Sequence, residues 1–368
     1  MIKLLWNLFP IILLLVSTTT AEAQARPGSS DKPGSSASKD INRPSGSLQT
    51  TTAGDIRPMN QKSSLFNEAW VYHIYLDNGT QLYVSYMLAN FGTFMSPVGG
   101  ARLSVLNFNG EYYQVARQYP LEEMSFSESN HKLRLHPGRD IWFEGALPDE
   151  HRVRYKTEKD GVSYDVDLNF SEIAKGQRWG DGNFKVDGEQ INIQMHIPHA
   201  KVEGKVKIND TSKKVTGTAY MDQTYQTTIT PRVLNSGFRY VNHDRDNWEI
   251  GYLLLPEESR SSSEIVGYGI RKTGNRVQLK KPQHMELGDN TDFKGGRVPS
   301  KLHIEYNPSG KSEVAVTEGL ERLSFLSEVS GFRKRIARSY LRGEVIEYRG
   351  MGKLNDEKPA FLNFFRVE

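Results

Sequence analysis

Val162-Ser163-Tyr164-Asp165-Val166-Asp167-Leu168-Asn169-Phe170 alternates apolar and polar side chains along its whole length. Period-two alternation sends successive side chains to opposite faces of an extended chain, so this stretch reads as a strand with one buried face. Asp160-Gly161, just before it, is a hairpin dipeptide. The pattern spreads outward in both directions. Ile191, Ile193, Met195 and Ile197 alternate with Asn192, Gln194 and His196, and Leu302, Ile304 and Tyr306 repeat it. Further strands are expected at 70–76, 81–88, 102–108, 111–117, 141–147, 152–157, 202–208, 214–221, 237–243, 247–255, 264–271, 312–318, 341–348 and 360–367. Asn78-Gly79, Asn109-Gly110 and Asp187-Gly188 supply more turns.

Roughly sixteen short strands at even spacing point to an all-β chain built as two antiparallel β-barrels of about eight strands each. The natural boundary is Pro198-His199-Ala200, which gives barrels over 65–199 and 200–368. One stretch resists the strand reading. Between Leu320 and Arg342 the apolar residues fall at helical spacing in parts, so one or two short helices are expected there, broken at Gly331.

The ends and the composition bound the function. Residues 1–23 read as a signal peptide: Lys3, an apolar run from Leu4 to Val16, then Ala21-Glu22-Ala23 as a small-x-small cleavage site. No later apolar run is long enough to span a membrane, so an exported protein, periplasmic or secreted, is expected, with no transmembrane span after cleavage. Residues 24–64 repeat Pro-Gly-Ser-Ser and read as a disordered tether. The 368-residue chain carries 47 Lys+Arg against 44 Asp+Glu, a net charge of +3, which does not suggest a nucleic-acid binder. The absence of cysteine excludes disulfide scaffolds, thiolate zinc sites and thiol nucleophiles. Gly-x-Ser-x-Gly, the P-loop, the dinucleotide fingerprint after a strand and His-Glu-x-x-His are all missing.

Three motifs carry a resemblance. They are Glu68-Ala69-Trp70-Val71-Tyr72, Val215-Thr216-Gly217-Thr218-Ala219-Tyr220-Met221-Asp222-Gln223-Thr224-Tyr225, and Trp248-Glu249-Ile250-Gly251-Tyr252. With them, residues 65–368 resemble the bipartite lipocalin-like superfamily, which holds carotenoid 1,2-hydratases, fungal Diels–Alderases and survival-factor proteins. The second motif is similar to that group's Gly-x-Ala-Tyr-x-Asp strand, although Tyr225-Gln226 replaces the Trp-Gly that follows there. The resemblance implies two consecutive lipocalin-like barrels, a hydrophobic cavity and no cofactor.

Asp222 is the leading site residue, with Tyr225 beside it in sequence. On a strand Tyr220, Asp222 and Thr224 share one face. If that face lines a dry cavity, desolvation keeps the carboxyl protonated, an acid suited to hydrating or cyclising an isoprenoid over aromatic walls. The other reading is a structural Asp bonded to backbone amides or to an Arg. The ligand-binding walls are expected from Trp70, Tyr72, Tyr83, Trp142, Tyr220, Tyr225, Phe238, Tyr240, Trp248 and Tyr252, although strand parity does not tell which set faces inward. His196 with His199, His131 with His136, and the turn at His243–Asn247 lack metal-ligand spacing, so no metal is expected. Arg333, Lys334, Arg335, Arg338 and Arg342 form a basic run that reads either as a solvated helix face or as a contact with an anionic lipid surface. The reading is an exported protein that binds a small lipophilic ligand in a barrel cavity. The alternatives are a cofactor-independent hydratase or cyclase with Asp222 as acid, and a structural envelope protein.

Overall fold

The computed structural model describes residues 39–59, 63–243, 246–308, 310–326 and 331–368. The expected signal peptide lies outside them. Two large antiparallel sheets carry the chain. The first runs from strand Glu111–Pro120 through Val98–Phe108, Gln81–Phe91, Leu65–Leu76, Thr211–Gln226, Glu189–Ile208, Val162–Ser171, His151–Lys159, Ile141–Glu144 and Lys132–Arg134 to Ser125–Ser127. Its two outermost strands are consecutive in the chain, joined through the 3-10 turn Leu121–Glu123. A sheet whose edges are tied that closely curls into a barrel.

The second sheet closes by hydrogen bonding. Strands Arg276–Leu287, Val266–Thr273, Glu249–Leu255, Ser236–Asn242, Lys358–Val367, Val345–Leu354, Gly310–Ser324 and Lys301–Asn307 follow one another, and Lys301–Asn307 returns to pair with Arg276–Leu287. Local sequence sets the hairpins in both sheets. Asn109-Gly110, Asp160-Gly161 and Asp187-Gly188 hold both residues at positive φ, which tight hairpin turns require and which Asn, Asp and Gly tolerate.

Two expected boundaries move. Strand Glu189–Ile208 runs unbroken through Pro198-His199-Ala200, with bulges between Met195 and Ile197 and between Ile197 and Ala200. Pro198 sits at that irregularity, where a missing N–H costs least. The first barrel therefore keeps the next strand, Thr211–Gln226, and the second begins at Ser236, after the short helix Thr230–Val233. Likewise Leu320 to Ser324 belongs to strand Gly310–Ser324, and the helix is Gly331–Leu341.

The described part of the low-complexity segment, residues 39–59, is folded rather than a free tether. Ile41–Asn42 pairs with Asn183–Val186, and Leu48–Thr50 pairs with Gln177–Trp179. Ile56 is fully buried, and its carbonyl accepts the indole N–H of Trp70 at 2.9 Å. Arg43 donates to the carbonyls of Ser263 (3.0 Å) and Ile265 (3.1 Å) in the second barrel, while Asp55 pairs with Arg178 of the first at 2.7 Å. This segment is a strap across both barrels.

Three cores result. One fills the first barrel with Trp70, Tyr72, Tyr86, Phe143, Tyr155 and Phe170 among many aliphatics. A second fills the closed barrel around Phe238, Tyr240, Leu253, Ile304 and Leu362. The third lies between the barrels and includes Val71, Tyr83, Tyr220, Val241, Trp248, Ile250, Tyr252, Tyr268 and Phe361.

Candidate functional site

The expected cavity walls separate into four places. Trp70 and Tyr72 point into the first barrel, where both are fully buried. Tyr72 Oη lies 2.8 Å from His151 Nε2, and Tyr86 Oη donates to the Trp142 carbonyl at 2.8 Å. Phe238 and Tyr240 point into the second barrel, where Phe238 stacks on Phe364 at 4.6 Å. A cavity lined by Phe238, Tyr240, Tyr348 and Phe364 holds about 20 Å³, room for a single water. Trp142 lies on the opposite strand face from Phe143, with Lys132 3.7 Å and Arg152 5.4 Å over its ring. Tyr83, Tyr220, Trp248 and Tyr252 meet in the junction between the barrels. Tyr225 joins the first-barrel core, so the alternation that puts Tyr220 and Asp222 in the junction turns Tyr225 away from them.

The junction is organised by one strand. Thr218, Tyr220, Asp222 and Thr224 share a face of Thr211–Gln226, and each meets a group across the gap or on a neighbouring strand. Thr218 Oγ1 is 2.9 Å from His243 Nδ1. The Tyr220 ring packs edge-on to His73 at 5.8 Å. Asp222 takes Arg239 in a two-point ion pair, Nε to Oδ2 at 2.7 Å and Nη2 to Oδ1 at 3.0 Å. Thr224 Oγ1 donates to Tyr252 Oη at 3.2 Å, and Arg239 lies 4.2 Å over the Tyr252 ring.

A second charged knot adjoins it. Glu347 accepts from Tyr83 Oη at 2.9 Å, from Arg349 Nη2 at 2.8 Å and from Asn363. Arg349 also donates to Ser104 Oγ at 2.9 Å and to Glu321, and its guanidinium stacks 3.1 Å over Tyr83. Tyr83 and Ser104 belong to the first barrel, and Glu347 and Arg349 to the second, so these bonds cross the junction.

Burial sets the electrostatics. Loss of water pushes the Asp222 carboxyl above its usual range, against the pull of Arg239 and a bond from Tyr220. Burial is the largest single influence on Arg239 and lowers it, but Asp222 together with Tyr252, Tyr220 and Tyr83 outweighs that cost and holds it well above its ordinary value. The proton stays on the guanidinium, and the pair is ionic at neutral pH. An ionised Asp222 has no proton to give while Arg239 holds it. His73 differs: burial, then the charges of Arg239 and Arg349, push its imidazole well below 6.5. It is neutral, and neither ring nitrogen has a hydrogen-bond partner among the described residues.

The remaining sequence candidates are placed as follows. His196 bonds Gln223 Oε1 at 2.8 Å, and the His199 ring lies 5.8 Å from that of His243. No group of three or more acids or histidines is arranged for a metal among the described residues. Lys334 (2.7 Å) and Arg338 (3.6 Å) from the helix Gly331–Leu341 both reach Glu344, so that carboxylate takes two cations of the basic run. Arg335 is exposed, and Arg342 follows the helix at φ 62°.

Arg239 and His73 did not stand out in sequence. A signal existed for Arg239: it is one charge within Gly237-Phe238-Arg239-Tyr240-Val241, a strand otherwise fit for burial on both faces. A lone charge there needs a buried partner.

No family model matches the sequence, and no curated protein matches it significantly. Solved structures do. An AttH-like protein from Nitrosomonas europaea superposes with a TM-score of 0.60 at 12% identity, covering 85% of this chain and 95% of that one. CghA with Sch210972 gives 0.56 at 10% identity, covering 88% and 98%. The shared feature is the fold.

Proposed function

We propose that the protein is an exported binder of a lipophilic molecule, of isoprenoid, fatty-acyl or polyketide-like chemistry, held between its two barrels rather than inside either. The observation that carries this is His73. Its imidazole is buried with no hydrogen-bond partner among the described residues and sits among rings: Phe361 at 4.3 Å, Tyr83 at 4.9 Å and Tyr220 at 5.8 Å. An unsatisfied buried polar group costs about 1–3 kcal/mol, which a ligand hydroxyl or carbonyl group would recover. The rings supply an apolar surface for the rest of the ligand. CghA, with the same fold, has a structure with Sch210972, which supports a ligand-binding use of this architecture. The apolar N-terminal run supports export, and exposed Ile336 beside Arg335 supports transfer of the ligand from an anionic lipid surface.

A second reading, a hydratase or cyclase with Asp222 as acid, has one observation in its favour: burial raises the Asp222 carboxyl beside the Tyr220 ring. It requires Arg239 to swing away before the carboxyl takes a proton.

The test is saturable binding of N-phenyl-1-naphthylamine, with displacement by geranylgeraniol and by palmitate. Val71 pairs with Asp222 in register and faces the junction, so Val71→Trp places a bulky ring against the proposed site. Wild type is expected to bind one equivalent, and Val71→Trp at least tenfold more weakly. Folded wild type without saturable binding refutes the reading, and a Val71→Trp variant that binds like wild type refutes the location.

A further inference from the structure

The second barrel holds a separate feature at one end. Strand parity turns Asn242, Glu249, Arg271 and Lys280 toward the barrel interior, on the side of Tyr240 and Leu253. Lys280 is fully buried, 4.1 Å over the Tyr306 ring, and donates to Ser312 Oγ at 2.6 Å and to Glu249. Glu249 also accepts from Ser312 at 2.8 Å, from Tyr240 at 3.0 Å and from Arg271. That carboxylate is saturated, and it balances only one of the two cations that touch it.

Outside Glu249 the barrel opens into a cavity of about 250 Å³, bordered by Asn242, Arg271, Lys272 and Lys358. Glu249 is the single acid in that border, against Arg271, Lys272 and Lys358, with Lys280 behind it. The field in the mouth favours an anion. Asn242 adds a second demand. It is buried, its Nδ2 donates to the Pro359 carbonyl at 2.7 Å, and its Oδ1 has no partner among the described residues. An acceptor beside three cations asks for a ligand that carries both negative charge and a hydroxyl donor. Sulfate offers no such donor, and phosphate, which keeps a hydroxyl at neutral pH, leaves most of the volume unfilled.

We propose that the mouth of the second barrel is a binding site for a small hydroxylated carboxylate. Its carboxylate lies against Arg271 and Lys358, and a hydroxyl donates to Asn242 Oδ1. Lys280 and Glu249 form the polar floor that keeps Arg271 extended into the mouth. The site is distinct from the junction and does not depend on what binds there.

Calorimetric titration of the full chain tests this, with gluconate as probe and chloride holding the ionic strength constant. Glucose, propionate and inorganic phosphate are the comparators. Gluconate is expected to bind saturably and at least fivefold more tightly than any comparator. Lys358→Glu, an exposed charge reversal, is expected to weaken it at least fivefold. Asn242→Leu is expected to remove the preference for gluconate over propionate while urea melts show the protein folded. Val71→Trp, in the junction, leaves the titration unchanged. Absence of saturable binding by the folded protein overturns the proposal. So does binding that Lys358→Glu leaves unmoved, or phosphate binding as tight as gluconate.

Discussion

Four histidines are stored neutral inside this protein, and mild acid is expected to unfold it for that reason. His73 lies in the junction and His151 in the first barrel against Tyr72, Phe143 and Phe170. His196 bonds Gln223, and His243 bonds Thr218. Burial pushes His151 and His243 down to about 3 and His196 to about 4, and drives His73 well below its ordinary value. Unfolding returns each to about 6.5. Over that range only the unfolded chain takes up the proton. Stability is therefore whole above about pH 6.5 and drains as the pH falls toward 3–4.

The magnitude follows from linkage. Between pH 7 and 5.5 each such histidine removes about 1.2 kcal/mol, and four together remove about 5 kcal/mol. Domains hold about 5–15 kcal/mol in total, so the loss is a large share. Urea melts followed by tryptophan fluorescence at half-unit pH steps read it directly. His151→Gln removes one titrating group, and its stability is expected to fall less steeply by about 1.2 kcal/mol per pH unit between pH 6 and 5. A wild-type stability that stays flat or rises from pH 7 to 5.5 refutes the reasoning, because it means these rings are already hydrated or protonated in the fold.

Two further outcomes follow from named contacts. Asp222→Asn leaves the Arg239 guanidinium buried without its counter-charge and is expected to cost about 3–5 kcal/mol in urea melts at neutral pH, where a loss under about 1 kcal/mol would mean a protonated Asp222. Removal of residues 1–59 strips Ile56 and Arg43 from the barrels and is expected to cost about 3–5 kcal/mol from apolar burial and lost hydrogen bonds, with a red shift of tryptophan emission as Trp70 meets water.

The strands were legible because period-two alternation is a local property. Val162–Ser171 matches its expected strand almost to the residue, and Arg152–Lys159 pairs with it across Asp160-Gly161. Which face of a strand points inward was not legible, since alternation is symmetrical between faces. That symmetry is why one list of aromatics mixed two barrel interiors, an outer wall and a junction. The boundary at Pro198 was misread because proline usually ends a strand, and here a double bulge absorbs it. The strap at 39–59 was missed because its composition is that of a disordered segment. Its order comes from edges that already exist, at Gln177–Trp179 and Asn183–Val186, and not from its own pattern. Asp222 was found as a position and its partner was not, because Arg239 reaches it from the other barrel.

The placement of the polar groups argues for where function resides. Side chains can fill the interior of a small β-barrel. Here large aromatics do so, and their hydroxyls bond across the lumen, as Tyr155 does to the Ala101 carbonyl at 3.2 Å and the Val115 carbonyl at 3.3 Å. Among the described residues, buried polar atoms without a partner include His151 Nδ1 in the first barrel, both ring nitrogens of His73 in the junction and Asn242 Oδ1 at the mouth of the second barrel. Burying charges and bare imidazoles where two domains meet costs stability that an apolar interface would keep. The barrels hold strand Thr211–Gln226 and strand Ser236–Asn242 face to face, and Asp222 of the first pairs there with Arg239 of the second.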